Sequence, residues 1–173
     1  MDVYEAMRKR CSVRSFRDKP IEEDKLLRVL EAGRISPSAR NDQARKFVVV
    51  RDAKLRAALA ASAEQPFIGQ APVVIAVVAT EPNRKMHCGV ESGPVDCAIA
   101  MDHMTLAAMA EGLGTCWIGH FDQDACRKVL GVPESAMIID LLPMGYPAPG
   151  ADAPKTRPRK PMDQVVCHDR FNA

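Results

Sequence analysis

The sequence predicts an α+β fold, a central sheet of about four strands packed with helices, and three observations predict it. Four short apolar runs read as strands, and the segments between them carry helical spacing. The two kinds mix without the strict strand–helix–strand regularity of a parallel sheet. Hydrophobic residues make up 47% of 173 residues, which suits a single globular domain over 1–173 with a sizeable core.

Asp2 can cap a first helix, with Glu5 in capping-box position and Val3, Ala6, Met7 and Arg10 at helical spacing. That helix ends near Cys11 to Val13. A second starts near Ile21, buries Leu26, Val29, Leu30 and Gly33, and must stop before Pro37. Phe47–Val50 is β-branched and apolar, hence a buried strand. Ala53–Ala63 is Ala-rich and helical, and Pro72–Thr80 is a second buried strand. Glu81–Gly93, holding Pro82, Gly89 and Gly93, reads as a loop. Pro94–Leu113 is the longest helical pattern, stopped by Gly112 and Gly114. Thr115–Gly119 reads as a short strand, Asp122 caps a helix ending at Gly131, and Ile138–Met144 is the last core strand. After Tyr146, five prolines (Pro147, Pro149, Pro154, Pro158, Pro161) forbid regular helix and make 146–173 an extended arm. Such an arm has little core of its own and is either disordered or tied to another surface, for which a partner subunit is the usual candidate.

Composition narrows the function classes. The longest apolar stretch, Pro72–Ala79, is far below the roughly 20 residues of a membrane span. Met1–Cys11 is charged and amphipathic, unlike a signal peptide, so a cytosolic protein is expected, with its six cysteines as thiols. No Cys-x-x-Cys pair is present, and no metal site is expected. A net charge of +2 does not imply a nucleic-acid partner. The basic residues are unevenly placed, however. Arg8, Lys9, Arg10, Arg14, Arg17 and Lys19 crowd one end, and Lys155, Arg157, Arg159 and Lys160 the other. Each cluster reads as solvated surface, or both converge on one anion.

Neither a nucleophile elbow nor a P-loop occurs, and Gly112-Leu-Gly114 ends a helix where a dinucleotide fingerprint would open one. A bound phosphate would therefore be held by side chains. Arg10-Cys11-Ser12-Val13-Arg14 offers two guanidinium forks and a hydroxyl, whose geometry matches phosphate oxygens. Surface arginines favoured by a helix C-terminus are the equal alternative from these five residues alone.

Five blocks in series carry a resemblance. They are Arg10-x-Ser12-x-Arg14, the run Ser36-Pro37-Ser38-Ala39-Arg40-Asn41-Asp42-Gln43, Gly112 to Gly119, Leu142 to Pro147, and Arg159-Lys160-Pro161. In order and spacing, from Tyr4 to Phe171, the chain resembles nitroreductase-like FMN-dependent oxidoreductases. The resemblance implies a central, mostly antiparallel sheet and a C-terminal arm wrapping a homodimer partner, with FMN at the interface. It implies that Arg10, Ser12 and Arg14 grip the FMN phosphate, with Cys11 contributing its backbone, and that Arg157 and Arg159 of the arm complete the grip. Pro37, Ser38, Ala39 and Asn41 match the loop that reaches the flavin from the other subunit. Ile118, Gly119 and His120 match the segment passing the ring near N5, where a side chain on Gly119 could collide with it. Two departures stand out. Gln43 is followed by Ala44-Arg45 where the family often carries Pro-Trp, and the chain is short for the family, so an inserted lid is expected to be missing.

The implied activity passes electrons from NAD(P)H through the flavin to a small acceptor such as a nitroaromatic or quinone, by a ping-pong mechanism. The cofactor carries the chemistry, so no catalytic protein residue is expected. The alternatives are an FMN enzyme with oxygen-dependent or dehalogenating chemistry, and a non-catalytic basic binding module. Trp117, His103, Met101, Met104, Met109 and Cys116 read as core or interface packing.

Overall fold

Asp2 opens the first helix as its spacing predicts. In the computed structural model, which describes residues 1–151 and 158–171, its carboxylate accepts the Glu5 amide at 2.8 Å, and α1 runs Val3–Lys9. This satisfies one of the amides that a helix start leaves without a partner. The reciprocal half of the capping box does not form, because Glu5 reaches forward to Lys9 at 2.6 Å. Then follow α2 (Glu23–Arg34), β1 (Arg45–Val50), α3 (Ala53–Ser62), α4 (Phe67–Gln70), β2 (Val73–Ala79) and α5 (Ser92–Ala110). β3 (Gly114–Thr115), α6 (Gln123–Leu130) and β4 (Met137–Gly145) complete the regular elements. Asp122 caps α6 through the Ala125 amide, and Gly131 closes it in the left-handed region at φ 66°.

Three elements depart from the sequence reading. α4 was not expected at all. α5 begins at Ser92, inside the expected loop, because Pro94 then falls in the first turn, where its missing N–H removes no helix bond. β3 stops at Thr115 instead of continuing to Gly119. Its next residue, Cys116, donates to the Pro143 carbonyl at 3.3 Å, and Pro143 has no amide to return. Pairing resumes only as an isolated bridge between Ile118 and Leu141.

The strands lie in the order β1-β2-β4-β3, and every ladder between them is antiparallel. Two helical layers cover the sheet. Leu59, Ile68, Val74, Val78, Cys126 and Leu141 fill the core on the α3–α6 side. Leu26, Val29, Ile75, Met101, Met104 and Leu142 fill it on the α2–α5 side. β2 is buried along its whole length because it lies between both layers. That explains a continuous apolar run where a one-sided antiparallel strand would alternate.

The segment after α1 extends the sheet. Ser12 bridges Thr115 in parallel, and the Val13 amide donates to the Thr115 carbonyl at 2.9 Å. Further on, Arg17 donates to the Tyr146 carbonyl at 2.8 Å and Ala148 to the Ser15 carbonyl at 3.0 Å. The root of the arm is thus stitched to this segment. Tyr146 reinforces the seam by accepting from Lys25 Nζ at 2.9 Å and donating to the Glu22 carboxylate. That bond, above all, holds Glu22 down at about 2. Beyond it, residues 158–171 are exposed throughout. Phe171 is 90% exposed and Met162 73%, so the arm carries apolar side chains with no core beneath them. Among the described residues, no helix is long and apolar enough to cross a membrane, and no group of His, Cys, Asp or Glu could hold a metal ion.

Candidate cofactor site

Val13 is the anchor of the basic motif. Its side chain is 1% exposed, and alternation along the extended chain turns its neighbours Ser12 and Arg14 the other way. Ser12 is half-buried and Arg14 exposed. Arg10 is the C-cap of α1. With Arg8, Cys11, Thr105, Met109 and Leu113 it lines a cavity of about 500 Å³, within the usual size range for small-molecule sites. Two guanidiniums at its rim make this cavity attractive to an anion.

Further along the same sheet edge stand Ile118, Gly119 and His120. Ile118 is buried and exchanges two backbone bonds of 3.0 Å with Leu141, while Gly119 and His120 are exposed. His120 Nε2 lies 3.9 Å from a Glu64 carboxylate oxygen. Gly119 is informative because the fold does not require it. A Cβ built there would meet only Asp140 Oδ1, at an ordinary 3.5 Å, and its φ is not in the left-handed region. From Thr115 to Gly119 an extended chain covers about 13 Å. The basic motif and the open glycine therefore occupy two ends of one edge.

The loop from Ser36 to Gln43 enters β1, at the opposite edge of the sheet. Arg40, Asn41 and Gln43 adopt φ of 55°, 59° and 52°, an arrangement that costs energy for residues with side chains. A set of bonds holds it. The Ala39 amide donates to Asp96 Oδ1 at 3.0 Å, and the Gln43 amide to Ser38 Oγ at 3.1 Å. Arg45 donates to the Pro37 carbonyl at 3.2 Å, the Ser36 carbonyl at 2.6 Å and the Gly33 carbonyl at 3.3 Å. Its fork also reaches the Asp96 carbonyl at 3.4 Å. Pro37 and Asn41 stay exposed, and Ser38 and Ala39 half-buried.

Arg45 is the functional group that sequence reasoning missed. It was visible only as the second residue of Ala44-Arg45, a departure from the expected Pro-Trp. In the structure it forms a guanidinium brace between α2, α5 and the loop. Arg45→Met should destabilise the protein by about 2–3 kcal/mol in urea unfolding, and proteolysis should first cut the 37–43 loop. Arg45→Lys should not restore the loss, since a point charge cannot serve carbonyls spread across a planar fork. A fully stable Arg45→Met protein would show the brace to be idle.

Two further expectations need correction or location. Trp117 was assigned to core packing, yet it is 37% exposed, lying just past the point where Pro143 interrupts the β3 ladder. Arg157 lies outside the described residues. Arg159 is exposed on the arm and donates to the Pro158 carbonyl at 3.5 Å. The structure thus brings Arg10, Cys11, Ser12, Arg14, Ile118, Gly119 and His120 to one edge, and Pro37, Ser38, Ala39 and Asn41 to the loop entering the other.

Comparisons with known proteins give the family and the fold. The model of the nitroreductase family matches residues 7–65 and 60–146. A candidate NADH dehydrogenase/NAD(P)H nitroreductase of Archaeoglobus fulgidus is 30% identical over 171 residues, covering 94% of this chain and 89% of that protein. The crystal structure of a nitroreductase family protein from Clostridium difficile 630 superposes with a TM-score of 0.87 at 28% identity, over 99% of this chain and 100% of that one. The NADPH:FMN oxidoreductase of Vibrio harveyi, solved with NAD+, shares the fold at a TM-score of 0.87 and 24% identity, over 99% of this chain and 78% of that one.

Proposed function

Since the chain belongs to the nitroreductase family, we propose that it works as an FMN-dependent oxidoreductase, moving electrons from NAD(P)H to a small acceptor such as a nitroaromatic or quinone. The observation that carries the reading is the single sheet edge with Arg10, Ser12 and Arg14 at one end and an unforced, open Gly119 at the other. That donor set suits a phosphate, and the opening suits a flat ring. FMN, when bound, supplies hydride and electron transfer.

The chain's own residues bind and orient. Arg10 and Arg14 offer charge-assisted bonds, and the Ser12 hydroxyl a neutral one, to the phosphate; Cys11 adds its backbone amide, and Arg157 and Arg159 of the arm complete the charge. Ile118, pinned to Leu141, fixes the height of the Gly119 and His120 backbone beside the ring. Pro37, Ser38, Ala39 and Asn41 reach a flavin held by a second copy of the chain, and the arm with its exposed Met162 and Phe171 wraps that copy. The working unit is a cytosolic homodimer with no nucleic-acid or membrane partner.

Donor and acceptor use one open face in turn, so kinetics are ping-pong. Double-reciprocal plots at several acceptor concentrations should be parallel, and clearly intersecting lines would require two separate pockets. The phosphate assignment is tested by FMN titration. Arg10→Ala and Arg159→Ala should each weaken binding roughly ten- to a hundredfold, while Lys54→Ala on α3 should leave it unchanged. Equal losses in all three would remove the assignment.

A further inference from the structure

β4 reads Met137-Ile138-Ile139-Asp140-Leu141-Leu142, an apolar strand interrupted by one acid. Its pairing with β2 explains where that acid goes. Val78 faces Ile138 and Val77 faces Asp140, so Ile139 is an extra residue and the register shifts there. Counted on from Ile138 without the shift, Asp140 would face Ala76 and the α3–α6 layer. The bulge instead turns it, with Val77, toward the side covered by α5. There its Oδ1 would lie 3.5 Å from a Cβ at Gly119. Among the described residues no hydrogen-bond donor meets this carboxylate, and burial alone pushes it up to about 6.

We propose that Asp140 is the ionisable group that tunes this active site, its carboxyl standing beside Gly119 and acting by charge on the ring bound there. The inference rests on the reading of Gly119 as the segment beside the flavin. An ionised carboxylate this close opposes added electrons, and a protonated one does not. Of the other ionisable and charged groups, Cys97 of α5 feels the charge of Asp140 as well as those of Asp96 and Arg45, and His120 follows Gly119 in the chain. Cys97 stays a thiol across the relevant range, since burial pushes it up to about 12. His120, Asp96 and Arg45 remain in place when Asp140 is replaced, so a difference between variant and parent belongs to Asp140.

The decisive measurement is the two-electron midpoint potential of the FMN-loaded protein from pH 4.5 to 8.5, for the unaltered chain and for Asp140→Asn. The curves should coincide near the acid end. Above about pH 7 the unaltered protein should fall below the variant by about 30 mV, a tenfold change in the two-electron equilibrium. A second readout needs no flavin: the Asp140 carboxyl carbon, followed by NMR in labelled flavin-free protein, should titrate well above the other aspartates. Superimposed potential curves in a protein that retains FMN would overturn the Asp140 inference alone. A protein that retains no FMN would overturn it together with the proposed function. An Asp140 carboxyl titrating in the ordinary aspartate range would overturn it as well.

Discussion

A mixed dimer of one Arg10→Ala chain and one Asn41→Ala chain should recover about half the activity of the unaltered dimer, although each variant alone loses most of it. The physical ground is the layout of the sheet. Arg10 leads into the segment paired with β3, while Asn41 sits in the loop entering β1, at the other edge of the sheet. In a homodimer with sites shared between chains, one site of the hybrid inherits both lesions and the other neither. Co-expression with two affinity tags isolates the hybrid, and its turnover per dimer gives the answer. A folded, dimeric hybrid as inactive as its parents would place both residues in a site within one chain.

Two glycines should respond in opposite ways to alanine. At Gly145, the last residue of β4, a Cβ would lie 2.5 Å from Pro72 Cδ, 2.9 Å from its Cγ and 3.1 Å from Phe16 Cδ1. A proline ring cannot rotate away, so backbone must move, and Gly145→Ala should cost about 3 kcal/mol in urea unfolding. Gly119→Ala should leave the stability of flavin-free protein within about 0.5 kcal/mol. It should nevertheless weaken FMN binding, read by the change in flavin fluorescence. Stability lost at Gly119, or kept at Gly145, would contradict the contacts described above.

Much of the fold was readable because burial leaves a direct trace in residue choice. β2 could be placed from its uninterrupted Val-Val-Ile-Ala-Val-Val-Ala, since layers on both faces of the sheet demand apolar residues at every position. Asp2 and Asp122 announced their helices by hydrogen-bonding chemistry local to the chain. α4 left no such trace, because a four-residue helix is too short to display a period. The candidate site was legible where side chains themselves form the motif, as in the proposed phosphate grip of Arg10, Ser12 and Arg14. It was not legible where the partners are backbone carbonyls. Nothing in Gly33, Ser36, Pro37 or the Asp96 carbonyl marks them as acceptors for Arg45. The lone acid at Asp140 was visible, but its approach to Gly119 depends on one extra residue in β4, which no periodicity announces.

The Arg45 brace has a thermodynamic consequence for recognition. A loop with three residues at positive φ, left to itself, would sample many shapes, and any molecule binding it would have to select one. Here the selection happens when the chain folds, because α2, α5 and β1 are joined through one guanidinium. The ordering cost is then charged to folding, and a molecule arriving at Pro37 to Asn41 meets a surface already in shape. Affinity at that surface should accordingly be governed by the contacts made and change little with the loop's own entropy.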